Sequence, residues 1–105
     1  ELGYFLYKNS QVRPEALVEG FTEFEAKAMS EHFSYLKDLT AKGIVILADP
    51  TLVKDYSNFG IVIFKAETEK EAREMVHNDP AVVRRVVRAE LYPFKISLFK
   101  PAVVQ

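Results

Sequence analysis

No cysteine occurs in the 105 residues, so disulfides, a thiolate nucleophile and Cys-ligated metal or iron–sulfur centres are excluded. The same lack fits a cytoplasmic protein. Glycine is sparse, with four scattered copies and neither a phosphate-cradling loop nor a dinucleotide fingerprint. No apolar run approaches the ~20 residues of a membrane-spanning helix, so no membrane partner is expected. Neither charge sign dominates: 14 basic and 15 acidic residues are mixed along the chain, which leaves no electrostatic footprint for nucleic acid. The two histidines, His32 and His77, lack H-x-x-x-H or H-E-x-x-H spacing, and no G-x-S-x-G is present. Neither a metal, nor a cofactor, nor a serine triad is expected.

What the chain does have is eight Phe and five Tyr within a hydrophobic fraction of 49%, enough for one core. We expect a single domain over residues 1–105, with its core between positions 4 and 98. Tyr4–Tyr7 reads as a first strand, closed by the turn formers Asn9 and Ser10. Residues 11–20 contain Pro14 and read as a connection. A long helix runs from Glu23 to about Lys42, with Thr22 and Glu25 at capping-box spacing and Gly43 as its stop. The unbroken apolar run 44–48 predicts a central strand, and Ile61–Ala66 a second.

Thr68 and Glu71 open another helix, with Ala72, Met75 and Val76 as its apolar stripe. Asn78-Asp79-Pro80 breaks that helix and starts a short turn. From Val86 the period is two, and its phase shifts after Pro93, which predicts a bulge or bend there. The order strand, helix, strand, strand, helix, strand is the ferredoxin-like split βαβ, an α+β fold with an antiparallel sheet. Its helices cover one sheet face. A homodimer joined through the other face is the expected cover.

The long helix contains an anomaly. At 100° per residue Phe21, Ala28, Met29, Phe33, Leu36 and Leu39 share one side, and His32 projects among them. A buried imidazole needs partners for its nitrogens. A backbone carbonyl would make it a structural histidine; a carboxylate in an open pocket would make it a proton-transfer group.

Glu31 to Leu39, Lys42-Gly43-Ile44, Ala48-Asp49-Pro50, Asn78-Asp79-Pro80 and Tyr92-Pro93-Phe94 together resemble the YCII-related (YciI-like) domain family, over roughly Tyr4 to Leu98. The resemblance implies a dimeric α+β barrel, similar to muconolactone isomerase. It also implies a cleft with a catalytic His–Asp pair, carried here by His32 and Asp79. Few members have an assigned reaction, a chlorohydroxyquinol dehydrochlorinase among them. The family-level expectation is lyase or isomerase chemistry on a small cyclic or phenolic, anionic metabolite. Asp49 departs from the family, which commonly has glycine there, and could join the site.

Asp before Pro at a helix break is also an ordinary N-cap. Capping is compatible with orienting an imidazole through its ring N–H, which is the triad's logic without the nucleophile. Arg84, Arg85 and Arg88 read as a solvated face and strand edge or, alternatively, as the source of a clamp for a substrate carboxylate, with Arg88 best placed for it. Tyr7 and Tyr35 could line the same cleft. The alternative function is a non-catalytic ligand-binding or accessory dimeric domain.

Overall fold

The computed structural model describes residues 3–100, with Asp49 described for its backbone alone. In chain order the elements are β1 (Gly3–Gln11), α1 (Ala16–Glu19), α2 (Glu23–Ala41), β2 (Val45–Pro50), β3 (Gly60–Ala66), α3 (Glu69–His77), α4 (Pro80–Val83) and β4 (Val87–Phe94). The strands form one antiparallel sheet in the order β2-β3-β1-β4, the ferredoxin-like arrangement.

Local signals place the helices. Thr22 Oγ1 accepts from Glu25 N at 3.1 Å while the Glu25 carboxylate accepts from Thr22 N at 2.9 Å, so the capping box at α2 closes on itself. Arg13 grips the same carboxylate through Nε and Nη2 at 2.9 and 2.7 Å, tying the connection after β1 to the start of α2. Gly43, at φ 77°, takes the left-handed conformation that ends the helix. At α3 Thr68 caps by accepting from Glu71 N at 3.1 Å.

One sheet face carries the core. Phe5 and Tyr7 of β1, Val45 of β2, and Val62 and Phe64 of β3 pack against Leu36 of α2 and Ala72 and Val76 of α3. Each large apolar side chain buried this way contributes roughly 1.5–3 kcal/mol. A second cluster joins Ala28 of α2 to Ala81 of α4 and to Val86 and Val87. Cross-strand partners share a face, so Tyr4, Leu6 and Lys8 lie with Lys65, Ile63 and Ile61 on the opposite side, where no described helix packs.

Several sequence expectations change. The apolar run at 44–48 forms an edge strand, not a central one: β2 pairs with β3 alone, and Ile46 and Leu47 are exposed. An apolar run reports a demand for burial and says nothing of how many strands flank it. Asn9 and Ser10 do not turn the chain. They stay in β1, Asn9 between Gly60 and Ala89 and Ser10 opposite Arg88, because ladder pairing outweighs a local turn preference. Pro93 brings no bulge either. The β1–β4 register runs unbroken from Gln11↔Val87 to Tyr4↔Phe94, on an edge strand where a missing N–H is tolerated. The irregularity lies instead in β2, between Val45 and Leu47.

Candidate active site

The site begins where α3 stops. Asp79 is the N-cap of α4, with extended backbone and Pro80 at the first helical position, and its Oδ1 accepts from Ala81 N at 3.0 Å. That bond fixes the carboxylate and leaves Oδ2 pointing toward α2 and β1. There Oδ2 accepts from the Tyr7 hydroxyl at 2.9 Å and meets His32 Nδ1 at 2.6 Å. Asp79 is completely buried, while the His32 side chain keeps 12% of its surface. Ala28 and Ala81, both fully buried, stand between α2 and α4, and their small size lets the two helices approach closely enough for the pair to form.

A carboxylate only accepts, so the short contact assigns the ring proton to Nδ1. Among the described residues no buried side-chain nitrogen or oxygen lacks a partner, and no bond to His32 Nε2 is formed. Nε2 therefore faces solvent, in a cleft of about 720 Å³ that His32 lines. Met29, Phe33 and Leu36 of α2 form one wall, and Ala48, Gly60 and Val62 of the sheet the other. Phe33 is 67% exposed, so this part of the expected apolar stripe belongs to the cleft and not to the core. Phe21 is exposed as well. The polar groups of the lining include Asn9 and Lys37.

Tyr7 is the inner support of the pair. Its hydroxyl is pushed far above the ordinary tyrosine range, first by burial and then by the Asp79 charge, so it stays a proton donor to that carboxylate. Tyr35 is raised to about 12, again by burial first and Asp79 second. Among the described residues no three His, Cys, Asp or Glu side chains gather as a metal-ligating group.

The expected residues divide accordingly. His32, Asp79 and Tyr7 come together, with Tyr7 behind the carboxylate and not in the cleft lining. Tyr35 shares the α2 helix but donates to the Met75 carbonyl at 2.6 Å, between α2 and α3. Arg88 lies opposite Ser10 in β4, exposed, while its neighbour Val87 is buried toward the helices. Strand alternation fixes its direction away from His32, so the sheet separates the two. Arg84 pairs with Glu31, and His77 is exposed in the last turn of α3. Asp49 sits in β2 opposite Ile61, and its side chain lies outside what is described.

Sequence reasoning missed several polar lining groups, Lys37 and Asn9 among them. Lys37 could have been found by its i, i+4 spacing from Phe33, one position beyond the arc on which His32 was noticed. Asn9 could have been found by extending the alternation from Tyr7 through the supposed turn.

Similar proteins agree with this architecture. A solved structure of 5-chloro-2-hydroxyhydroquinone dehydrochlorinase from Burkholderia phenoliruptrix, in complex with 2,5-dihydroxybenzoquinone, superposes with a TM-score of 0.66 at 24% identity, covering 88% of this chain and 93% of that one. An uncharacterized protein from Thermotoga maritima superposes with a TM-score of 0.54 at 14% identity, over 90% of this chain and 100% of that one. At these identities both show a shared fold. No curated protein matches in sequence. The sequence model of the YCII-related domain matches residues 7–95, from the strand carrying Tyr7 to just beyond the end of β4, and the chain belongs to that family.

Proposed function

We propose that this chain is a small-molecule enzyme of lyase or isomerase type, in which His32 moves a proton and Asp79 orients it. The substrate class is a small cyclic or phenolic, anionic metabolite. The observation that carries this reading is the 2.6 Å contact that occupies Nδ1 and leaves Nε2 toward the cleft. In an elimination Nε2 takes a proton from the substrate, the electron pair released forms the new π bond, and the leaving group departs with its bonding pair. In an isomerisation the same nitrogen returns the proton to a second atom. Either reaction asks for one titratable group at contact distance. The buried carboxylate stabilises the imidazolium while it holds the proton.

Lys37 takes the part expected of Arg88, because it is the lysine on the cleft wall and an anionic substrate gains from a positive charge there. The apolar walls and the exposed Phe33 ring suit a planar ring. The bound 2,5-dihydroxybenzoquinone of the Burkholderia relative has that shape. In the same reading the chain is a homodimer through the helix-free sheet face, which presents Tyr4, Leu6 and Tyr92.

The second reading, a non-catalytic ligand-binding or accessory dimer, draws on the mostly apolar lining, which can hold a ring without transforming it. The test is chloride release from 5-chloro-2-hydroxyhydroquinone by wild type and His32→Gln. We expect the variant to lose a hundredfold or more of the rate, the scale of general acid–base catalysis. Undiminished release from the variant would end the proposal, and binding without turnover by wild type would favour the accessory domain.

A further inference from the structure

Asn9 is 92% buried by its 8% exposure, in the middle of a sheet, and its carboxamide forms no hydrogen bond among the described residues. An amide in that position costs stability unless something pairs with it. Because no buried side-chain nitrogen or oxygen is left without a partner, the amide atoms must be reachable from outside, and the surface they reach is the cleft that Asn9 lines beside His32. Alternation along β1 puts Asn9 on the same face as Tyr7, whose hydroxyl holds Asp79. Two residues of strand separate them by roughly 7 Å. The carboxamide and His32 thus line one cleft, on the sheet face that also carries the support of Asp79.

Its placement is secured from the other side. A methyl group at Gly60, the β3 residue opposite, would stand 2.9 Å from Asn9 Oδ1 and 3.2 Å from Nδ2. Glycine at that position lets the amide lie against the β3 backbone. Ala48 and Pro50 of the edge strand leave the ground beyond it apolar.

We propose that Asn9 is the specificity-determining residue of the cleft, its carboxamide hydrogen-bonding a hydroxyl or oxo group on the substrate ring. The proposal rests on the ligand site described above and deepens it. A carboxamide offers both a donor and an acceptor, so it recognises an oxygenated ring in either tautomer and rejects a bare hydrocarbon ring.

The experiment compares two probes, 2,5-dihydroxybenzoquinone and fluorobenzene, by NMR titration of wild type, Asn9→Leu and Gly60→Ala. Asn9→Leu is expected to weaken binding of the quinone about tenfold or more while leaving fluorobenzene within about twofold. Gly60→Ala is expected to weaken the quinone in the same sense by displacing the amide. Should Asn9→Leu fail to fold, Asn9→Asp keeps the size, removes the N–H donors, and carries the same expectation. Unchanged quinone affinity in the Asn9 variant overturns the proposal. So does equal loss of both probes, which would mean shape alone, or absence of quinone binding by wild type. Binding needs no turnover, so recognition by Asn9 stands or falls separately from proton transfer by His32.

Discussion

Glu25 and Asp79 are both carboxylates at the start of a helix, and each accepts three hydrogen bonds. Glu25 takes two from Arg13 and one from Thr22 N; Asp79 takes one each from Tyr7, His32 and Ala81 N. Their settings differ. Glu25 is half-buried and faces a guanidinium that never loses its charge, so the cluster can only hold the chain together. Asp79 is sealed from water and faces an imidazole whose second nitrogen opens on a cleft. The number of bonds is the same; the burial and the kind of partner turn one of them from a clamp into a group able to steer a proton.

The largest expected difference between the two comes from removing the buried carboxylate. Asp79→Ala strips α4 of its cap and leaves the Tyr7 hydroxyl and the His32 Nδ1–H without their acceptor. We expect a loss of about 3–4 kcal/mol in denaturant unfolding, roughly the sum of a lost cap and two orphaned donors. A loss below about 1 kcal/mol would break the comparison, because Asp79 would then be no more structural than a surface acid.

Next is Tyr7→Phe, which deletes one donor to Oδ2 and nothing else of size. The expected cost is about 1.5 kcal/mol, typical of a hydrogen bond to a charged group, read from the same unfolding curves.

The smallest effect belongs to Glu25, and its signature is pH. The Arg13 guanidinium, and then the Thr22 N–H, lower its carboxyl from 4.5 to about 2. A carboxyl whose value is depressed by folding contributes stability above its unfolded value and loses it as pH falls through the folded one. The gap in melting temperature between wild type and Glu25→Gln should therefore be constant from neutral pH down to about 5. It should close between there and about pH 2. A gap that persisted unchanged in strong acid would mean that charge plays no part in the Arg13 cluster.

The sequence carried the local devices well. Thr22 with Glu25, Gly43, and Asp79 before Pro80 are contacts between near neighbours, and each forms as its spacing dictates. The family resemblance paired His32 with Asp79 across the chain, and the topology makes that contact, since α2 and α4 meet on one face of the sheet.

What was not legible depends on neighbours that periodicity cannot name. Residues 44–48 read as central because an unbroken apolar run is blind to sheet order. Arg88 was given the right alternation and the wrong face, since nothing in β4 alone says which side the helices occupy. Asn9 was hidden by its own turn propensity, which two flanking strands override.

Ala28 and Ala81 have a consequence of their own. Two methyl groups act as the shim between α2 and α4, and every ångström of shim thickness is handed on to the gap between ring and carboxylate. A bulkier residue at either place would work as a wedge, opening that gap without touching a single reacting atom. The pair's reactivity is thus set partly by the two smallest side chains near it, neither of which can exchange a proton.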